Sequence, residues 1–203
     1  MNYFITAIGT DSGKTLASAI ICEALGADYW KPVQCGLPRD MDTVRHLITN
    51  TASIFYPERY LLETPASPHA AAKIEGISIE LDSFKLPSTK NILIIEGAGG
   101  CLVPLNDQNF MIDLVEIFRA EVIVVSNHYL GSINHTLLTI EALKRRNCAI
   151  RGLIFNGEPN PATEQIILSH TKLKCLLRMK KEPEINNEVV KQYASAIKAN
   201  WHE

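Results

Sequence analysis

The chain opens MNYFITAIGTDSGKTLASAIICEAL, residues 1–25. Tyr3 to Ile8 is an apolar run too short for a helix, and it reads as a buried strand. From Lys14 the pattern turns helical, with Leu16, Ala19, Ile20 and Leu25 along one face. Between the two lies Gly9-Thr10-Asp11-Ser12-Gly13-Lys14-Thr15. A strand, a glycine-containing turn and a helix opening at Gly-Lys-Thr make a phosphate-binding loop. Unpaired backbone N–H groups at the helix start point at an anion, and the helix dipole favours negative charge there. Lys14 would reach the β- and γ-phosphates, and the Thr15 hydroxyl would hold Mg²⁺.

Outward from this loop the pattern alternates. Strand-like runs fall at Tyr3–Ile8, Asp28–Val33, Asn91–Ile95, Glu121–Ser126 and Ile150–Phe155, with a weaker one near Leu173–Leu177. Helical periodicity falls at Lys14–Leu25, Thr43–Ile48, His69–Ile74, Phe110–Arg119, Ser132–Arg145, Ala162–Ser169 and Asn187–Ala199. Short Val/Ile/Leu runs between helices predict an α/β fold: a doubly wound, mainly parallel sheet with helices on both faces, of the phosphate-loop NTPase type. A chain of 203 residues predicts one domain over 1–203. The segments Pro57–Pro68 and Glu158–Pro161 read as surface connections within it.

Composition narrows the function. A net charge of -2 argues against nucleic acid as the main partner. The five cysteines form no CxxC pair and the histidines no HExxH, against a zinc site or a disulfide framework. No apolar run approaches a membrane span and no leader pattern precedes Tyr3, so a cytoplasmic protein is expected.

Ligands of such sheets sit beyond the carboxyl ends of the strands, and there the chemistry-bearing residues collect. Glu96 closes the apolar run Ile92–Ile95 before Gly97-Ala98-Gly99-Gly100, in place to coordinate Mg²⁺ while the small residues let a ligand approach. Asp42 precedes a helical segment, as a second metal ligand or as a simple cap. Lys31 ends a strand before Pro32, where it can stabilise charge on a transferring group or stand as a surface lysine. Ser132 and Asn134 open a long helix after Gly131, as a second anion site or as caps. Asn156 ends a strand before Gly157, able to read a base edge or to make a turn.

KPVQCG at 31–36, SPH at 67–69, IIEGAGG at 94–100, LGSINH at 130–135 and the strand-terminal Asn156 follow the phosphate loop in order. In combination they resemble the dethiobiotin synthetase family over about the first three quarters of the chain. The resemblance implies an ATP- and Mg²⁺-dependent cyclo-ligase of biotin synthesis. It would form dethiobiotin from 7,8-diaminononanoate and CO2 through a carbamate and a carbamic-phosphoric anhydride. It implies that Gly13, Lys14 and Thr15 bind phosphates with Asp11, Ser12 and Leu16 lining the loop. Thr15, Asp42 and Glu96 would hold Mg²⁺, and Lys31 would be the catalytic lysine. Gly97, Ala98 and Gly99 would line the cleft, and Asn156 would contact adenine. Cys35 stands where the family has a substrate-contacting Ser or Thr. The family is homodimeric, and Leu130, Gly131, Ser132 and Asn134 resemble the segment that receives the substrate carboxylate across the interface.

Three features depart from that pattern. Ala7 replaces a glycine at the start of the loop, Cys35 is a weaker donor than a hydroxyl, and the tail from Lys172 onward matches poorly. A regulatory ATPase of the partition or septum-site type shares the architecture, but its loop carries an extra lysine that Ala7–Ser12 lacks. A cobyrinate-type amidotransferase needs a glutaminase domain for which 203 residues leave no room.

Overall fold

The structure, a computed structural model, describes residues 1–201. His202 and Glu203, the end of the domain expected over 1–203, lie outside the described residues. In chain order the elements begin β1 (Asn2–Ala7), α1 (Lys14–Leu25), β2 (Asp28–Trp30), β3 (Val33–Cys35), α2 (Asp40–Leu47), β4 (Phe55–Tyr56) and β5 (Tyr60–Leu62). Next come α3 (Pro68–Glu75), a 3₁₀ turn (Leu81–Ser83), β6 (Leu93–Gly100), α4 (Met111–Phe118) and β7 (Glu121–Asn127). The chain closes with α5 (Ser132–Arg145), β8 (Ile150–Asn156), α6 (Pro161–Thr171), β9 (Cys175–Met179) and α7 (Asn187–Asn200).

Seven strands form one sheet in the order β4-β2-β6-β1-β7-β8-β9, and every pairing is parallel. Parallel neighbours require crossovers, and the helices that make them cover both faces. Burial follows the two-residue pleat. Tyr3, Ile5 and Ala7 of β1 join Ile123 and Val125 of β7 in one core, beneath α1 and α7. Phe4 joins Val122 and Val124 in the other, with Met111, Leu114 and Phe118 of α4. Because the central strands β1, β6 and β7 are buried on both sides, their sequences carry near-continuous apolar runs.

Three differences from the sequence expectation matter for the site. The strand expected over Asp28–Val33 splits into β2 and β3, which lie in different sheets. Pro32 has no N–H for the ladder; its carbonyl instead accepts from Arg59 and Tyr60 N–H. β3 then pairs in parallel with β5, a strand hidden in the segment expected to be a surface connection. The expected strand ending at Ile95 continues as β6 through the glycines to Gly100. Those glycines let β6 lie against β1: a Cβ on Gly97 would sit 2.8 Å from the Phe4 ring. The helix expected from Thr43 begins at Asp40, three residues earlier. Ala7 is fully buried at the end of β1, paired with Gly100 and Val125, so a methyl group is accommodated at this position.

Candidate active site

A cavity of about 740 Å³ opens at the carboxyl ends of β1, β2, β3 and β6. The phosphate loop forms one wall, with Asp11, Gly13, Lys14 and Thr15 in its lining. Gly13 takes φ 98° just before α1, a left-handed conformation that lets the helix start without a side chain in the way. The turn is braced from within: the buried Ser12 hydroxyl donates to the Gly9 carbonyl at 3.1 Å, and Lys14 Nζ lies 3.4 Å from the same oxygen. Burial pushes the Lys14 ammonium below its ordinary pKa, with Glu96 opposing and the neighbouring Lys31 adding to the fall.

Lys31 and Glu96 lie beside the loop in the same lining. Lys31 is 4% exposed, and its Nζ lies 2.5 Å from Asp40 Oδ2 and 3.1 Å from Glu96 Oε1. Burial alone would lower its pKa, but the two carboxylates outweigh burial and hold it above the ordinary value. Lys31 is therefore a fixed cation. Glu96 has no exposed surface, and its Oε1 also accepts from Thr15 Oγ1 at 2.9 Å. Burial pushes its pKa up; Lys31, Lys14 and the Thr15 hydroxyl together carry it below the usual carboxylate range.

The expected residues divide between this cavity and other places. Ala98, Gly99 and Cys35 line it. Burial pushes the Cys35 thiol up to about 11, so it enters the cavity as a neutral S–H. Gly97 does not line it and is instead the close-packing position against Phe4. Leu16 lines a neighbouring apolar cavity of about 580 Å³ with Thr15, His46, Leu47 and Ile185. Asn156 stands beneath the loop: its Nδ2 donates to the Ser12 carbonyl at 2.9 Å, so that N–H is committed to bracing the loop. Leu130, Gly131, Ser132 and Asn134 lie outside the cavity; Leu130 is fully exposed, and Ser132 is buried at the start of α5.

Asp42 stands apart from this cavity. Its carboxylate pairs with Arg39 through two contacts of 3.0 Å and lies 3.7 Å from Arg45, bordering the neighbouring cavity and not the one that holds Lys31. Asp40 lines the main cavity in its place. Two residues correspond to about 200° around a helix, so the two aspartates face nearly opposite ways. Gln34, which the sequence did not single out by itself, fixes this corner. Its amide donates to the Gly36 carbonyl at 3.0 Å and accepts from the Asp40 N–H at 3.1 Å, seating the first turn of α2 beside Lys31.

A phosphate loop on a doubly wound parallel sheet, facing a buried lysine held between two carboxylates, defines a phosphate-loop enzyme of nucleoside triphosphates. A family model described as an AAA domain matches residues 1–189. The ATP-dependent dethiobiotin synthetase BioD of Cytophaga hutchinsonii is 57% identical, covering 99% of this chain and 98% of that protein. The protein of the same name from Christiangramia forsetii is 49% identical over 97% of this chain and 96% of its own. The chain belongs to the ATP-dependent dethiobiotin synthetase family, a family of ATP-using ligases. Among solved structures, a ParA family ATPase from Chlorobium tepidum aligns with a TM-score of 0.60 at 11% identity, covering 100% of this chain and 97% of that one. The septum site-determining protein MinD of Pyrococcus horikoshii, complexed with Mg-ADP, aligns with a TM-score of 0.57 at 13% identity over 98% and 96%. At such identities these two share the fold alone. No helix among the described residues is long and apolar enough to cross a membrane.

Proposed function

We propose that this chain closes the ureido ring of dethiobiotin from 7,8-diaminononanoate and CO2, converting ATP to ADP and phosphate. The observation that carries the reading is the placement of Lys31, a buried permanent cation beside the phosphate loop. One substrate amine adds to CO2, giving a carbamate and releasing a proton. A carbamate oxygen attacks the γ-phosphorus, the bond to the β–γ bridging oxygen breaks, and ADP leaves. The second amine attacks the carbonyl carbon of the resulting carbamic-phosphoric anhydride. The carbon–oxygen bond to phosphate breaks, phosphate departs, and the amine gives up its proton as the ring closes. Lys31 stabilises the carbamate and the charge on the moving phosphoryl group. Lys14 and the backbone N–H groups of the loop hold the phosphates in line.

Thr15, Asp40 and Glu96 supply a hydroxyl and two carboxylates at one wall, and such hard oxygen donors suit Mg²⁺. Asp42, the carboxylate expected here, borders the neighbouring cavity with Thr15, and Asp40 is our choice for the second carboxylate because it lines the cavity of Lys31. When bound there, Mg²⁺ would neutralise phosphate charge. We place the chain in the cytoplasm as a homodimer. Leu130, Gly131, Ser132 and Asn134 would then complete the partner's substrate site with the α5 N-terminus and would face the substrate carboxylate. The exposed Leu102, Leu130 and Leu138 beside this segment support an apolar contact between copies.

The test is phosphate release from MgATP, with and without 7,8-diaminononanoate plus bicarbonate, in the native protein and in Lys31→Ala. Release that needs the diamine, yields the mass of dethiobiotin and disappears in the variant is the expected result. Release indifferent to the diamine, or none, overturns the reading.

A further inference from the structure

Glu96 uses its two oxygens differently. Oε1 faces the phosphate loop, accepting from Thr15 at 2.9 Å and Lys31 at 3.1 Å. Oε2 accepts from the Tyr29 hydroxyl at 3.0 Å, behind the cavity wall. Tyr29 is fully buried in β2, which pairs with β6 in the register Tyr29↔Ile94, and its ring packs against Phe55 at 5.8 Å. Tyr29 is absent from the lining of the cavity. It meets the reacting groups only through Glu96.

We propose that Tyr29 is a positioning residue that fixes the rotation of the Glu96 carboxylate, presenting Oε1 alone to the phosphate loop and its cation. Without the phenol, the carboxylate would turn to share its oxygens among the Thr15 and Ser18 hydroxyls and the Lys31 ammonium, because an unmet buried acceptor is costly. The phenol removes that option. Cation affinity is then set by a preformed single oxygen, as outer partners set the basicity and direction of metal ligands elsewhere. The inference rests on the reading that Thr15, Asp40 and Glu96 hold Mg²⁺.

The experiment is calorimetric titration of a non-hydrolysable ATP analogue, with Mg²⁺ and with a chelator, into the native protein, Tyr29→Phe, Glu96→Gln and the double variant. Phe keeps the ring against Phe55 and removes only the hydroxyl. The expected result is that Tyr29→Phe loses on the order of 10-fold of the affinity gained from Mg²⁺, with affinity in the chelator unchanged. In the Glu96→Gln background the same change should remove nothing further. A para-aminophenylalanine at position 29, which retains a donor, should restore the gain, and its result stands by itself if Tyr29→Phe does not fold. Equal losses with and without Mg²⁺, no loss at all, or no rescue by the amino variant overturns the proposal. A native protein whose nucleotide affinity ignores Mg²⁺ overturns the metal reading with it, an outcome distinguishable from failure of Tyr29 alone.

Discussion

Replacing Lys31 by methionine tests the charge balance at the centre of the site without any substrate. The side chain keeps its length and apolar stem but loses its charge. Asp40, with about 30% of its side chain exposed, turns to solvent at little cost. Glu96 has no such escape: it stays buried with the Thr15, Ser18 and Tyr29 hydroxyls around it and Lys14 as the nearby cation. Removing one partner of a buried pair costs about 3–5 kcal/mol, and the remaining hydroxyls put the expected loss near the lower end, about 3 kcal/mol. For a chain of this size that lowers the melting temperature by roughly 6–12 °C. The sign with pH follows from Glu96. In the native protein its pKa is depressed, so its contribution is present above the unfolded value and is lost as pH falls through the folded one. In Lys31→Met burial dominates and the folded pKa rises above the unfolded value, so the variant regains stability as pH falls. Urea unfolding followed by circular dichroism, free of nucleotide and metal, should show the full gap at pH 7.5 and a smaller one at pH 5. A gap equal at both pH values, or a variant as stable as the native protein, would mean that Lys31 does not compensate the Glu96 charge.

Asp40→Asn and Asp42→Asn separate the two aspartates of α2. Phosphate release under saturating MgATP should fall by about tenfold or more in the first and stay within about twofold in the second, whose ion pairs are at the surface. Gly13→Ala places a methyl group 2.5 Å from Asn156 Nδ2 at φ 98°. The left-handed strain and the lost bond to the Ser12 carbonyl should together cost about 2–3 kcal/mol in thermal melts without nucleotide. Gln34→Ala frees the Asp40 N–H and the Gly36 carbonyl, and steady-state kinetics should show kcat/KM reduced by about tenfold with thermal stability lowered by about 1–2 kcal/mol. An unchanged kcat/KM there would show that the corner holds its shape without the amide.

The phosphate loop, Lys31 and Glu96 are legible in the sequence for one reason: each follows an apolar strand, and a polar group at a strand end has few other places to point. Asp40 is not legible. The helical pattern shows only from Thr43, and the choice between Asp40 and Asp42 depends on the rotation of the first turn of α2, which Gln34 sets from another element. β4 and β5, of two and three residues, are too short to show a period. Pro32 marks the split between β2 and β3 only once the partners of each are known. The roles of Asn156 and Gly97 depend on what lies across the sheet, the Ser12 carbonyl and the Phe4 ring, and spacing along the chain says nothing of either. Tyr29 reads as one more apolar strand position because its acceptor lies 67 residues away.

The two lysines of the cavity lining are outnumbered by the carboxylates of Asp11, Asp40 and Glu96, in a chain that is itself net negative at -2. Such a cavity offers no long-range pull on a polyanion, so added salt should not slow the encounter with nucleotide and, by screening repulsion, should if anything speed it. Attraction begins only at contact, where loop N–H groups meet phosphate oxygens and Lys31 exchanges a carboxylate for an incoming anion. A guest that arrives already neutralised by a divalent cation meets less opposition than a bare one. Ligands should therefore be sorted by the charge they carry with them before any of their atoms are recognised.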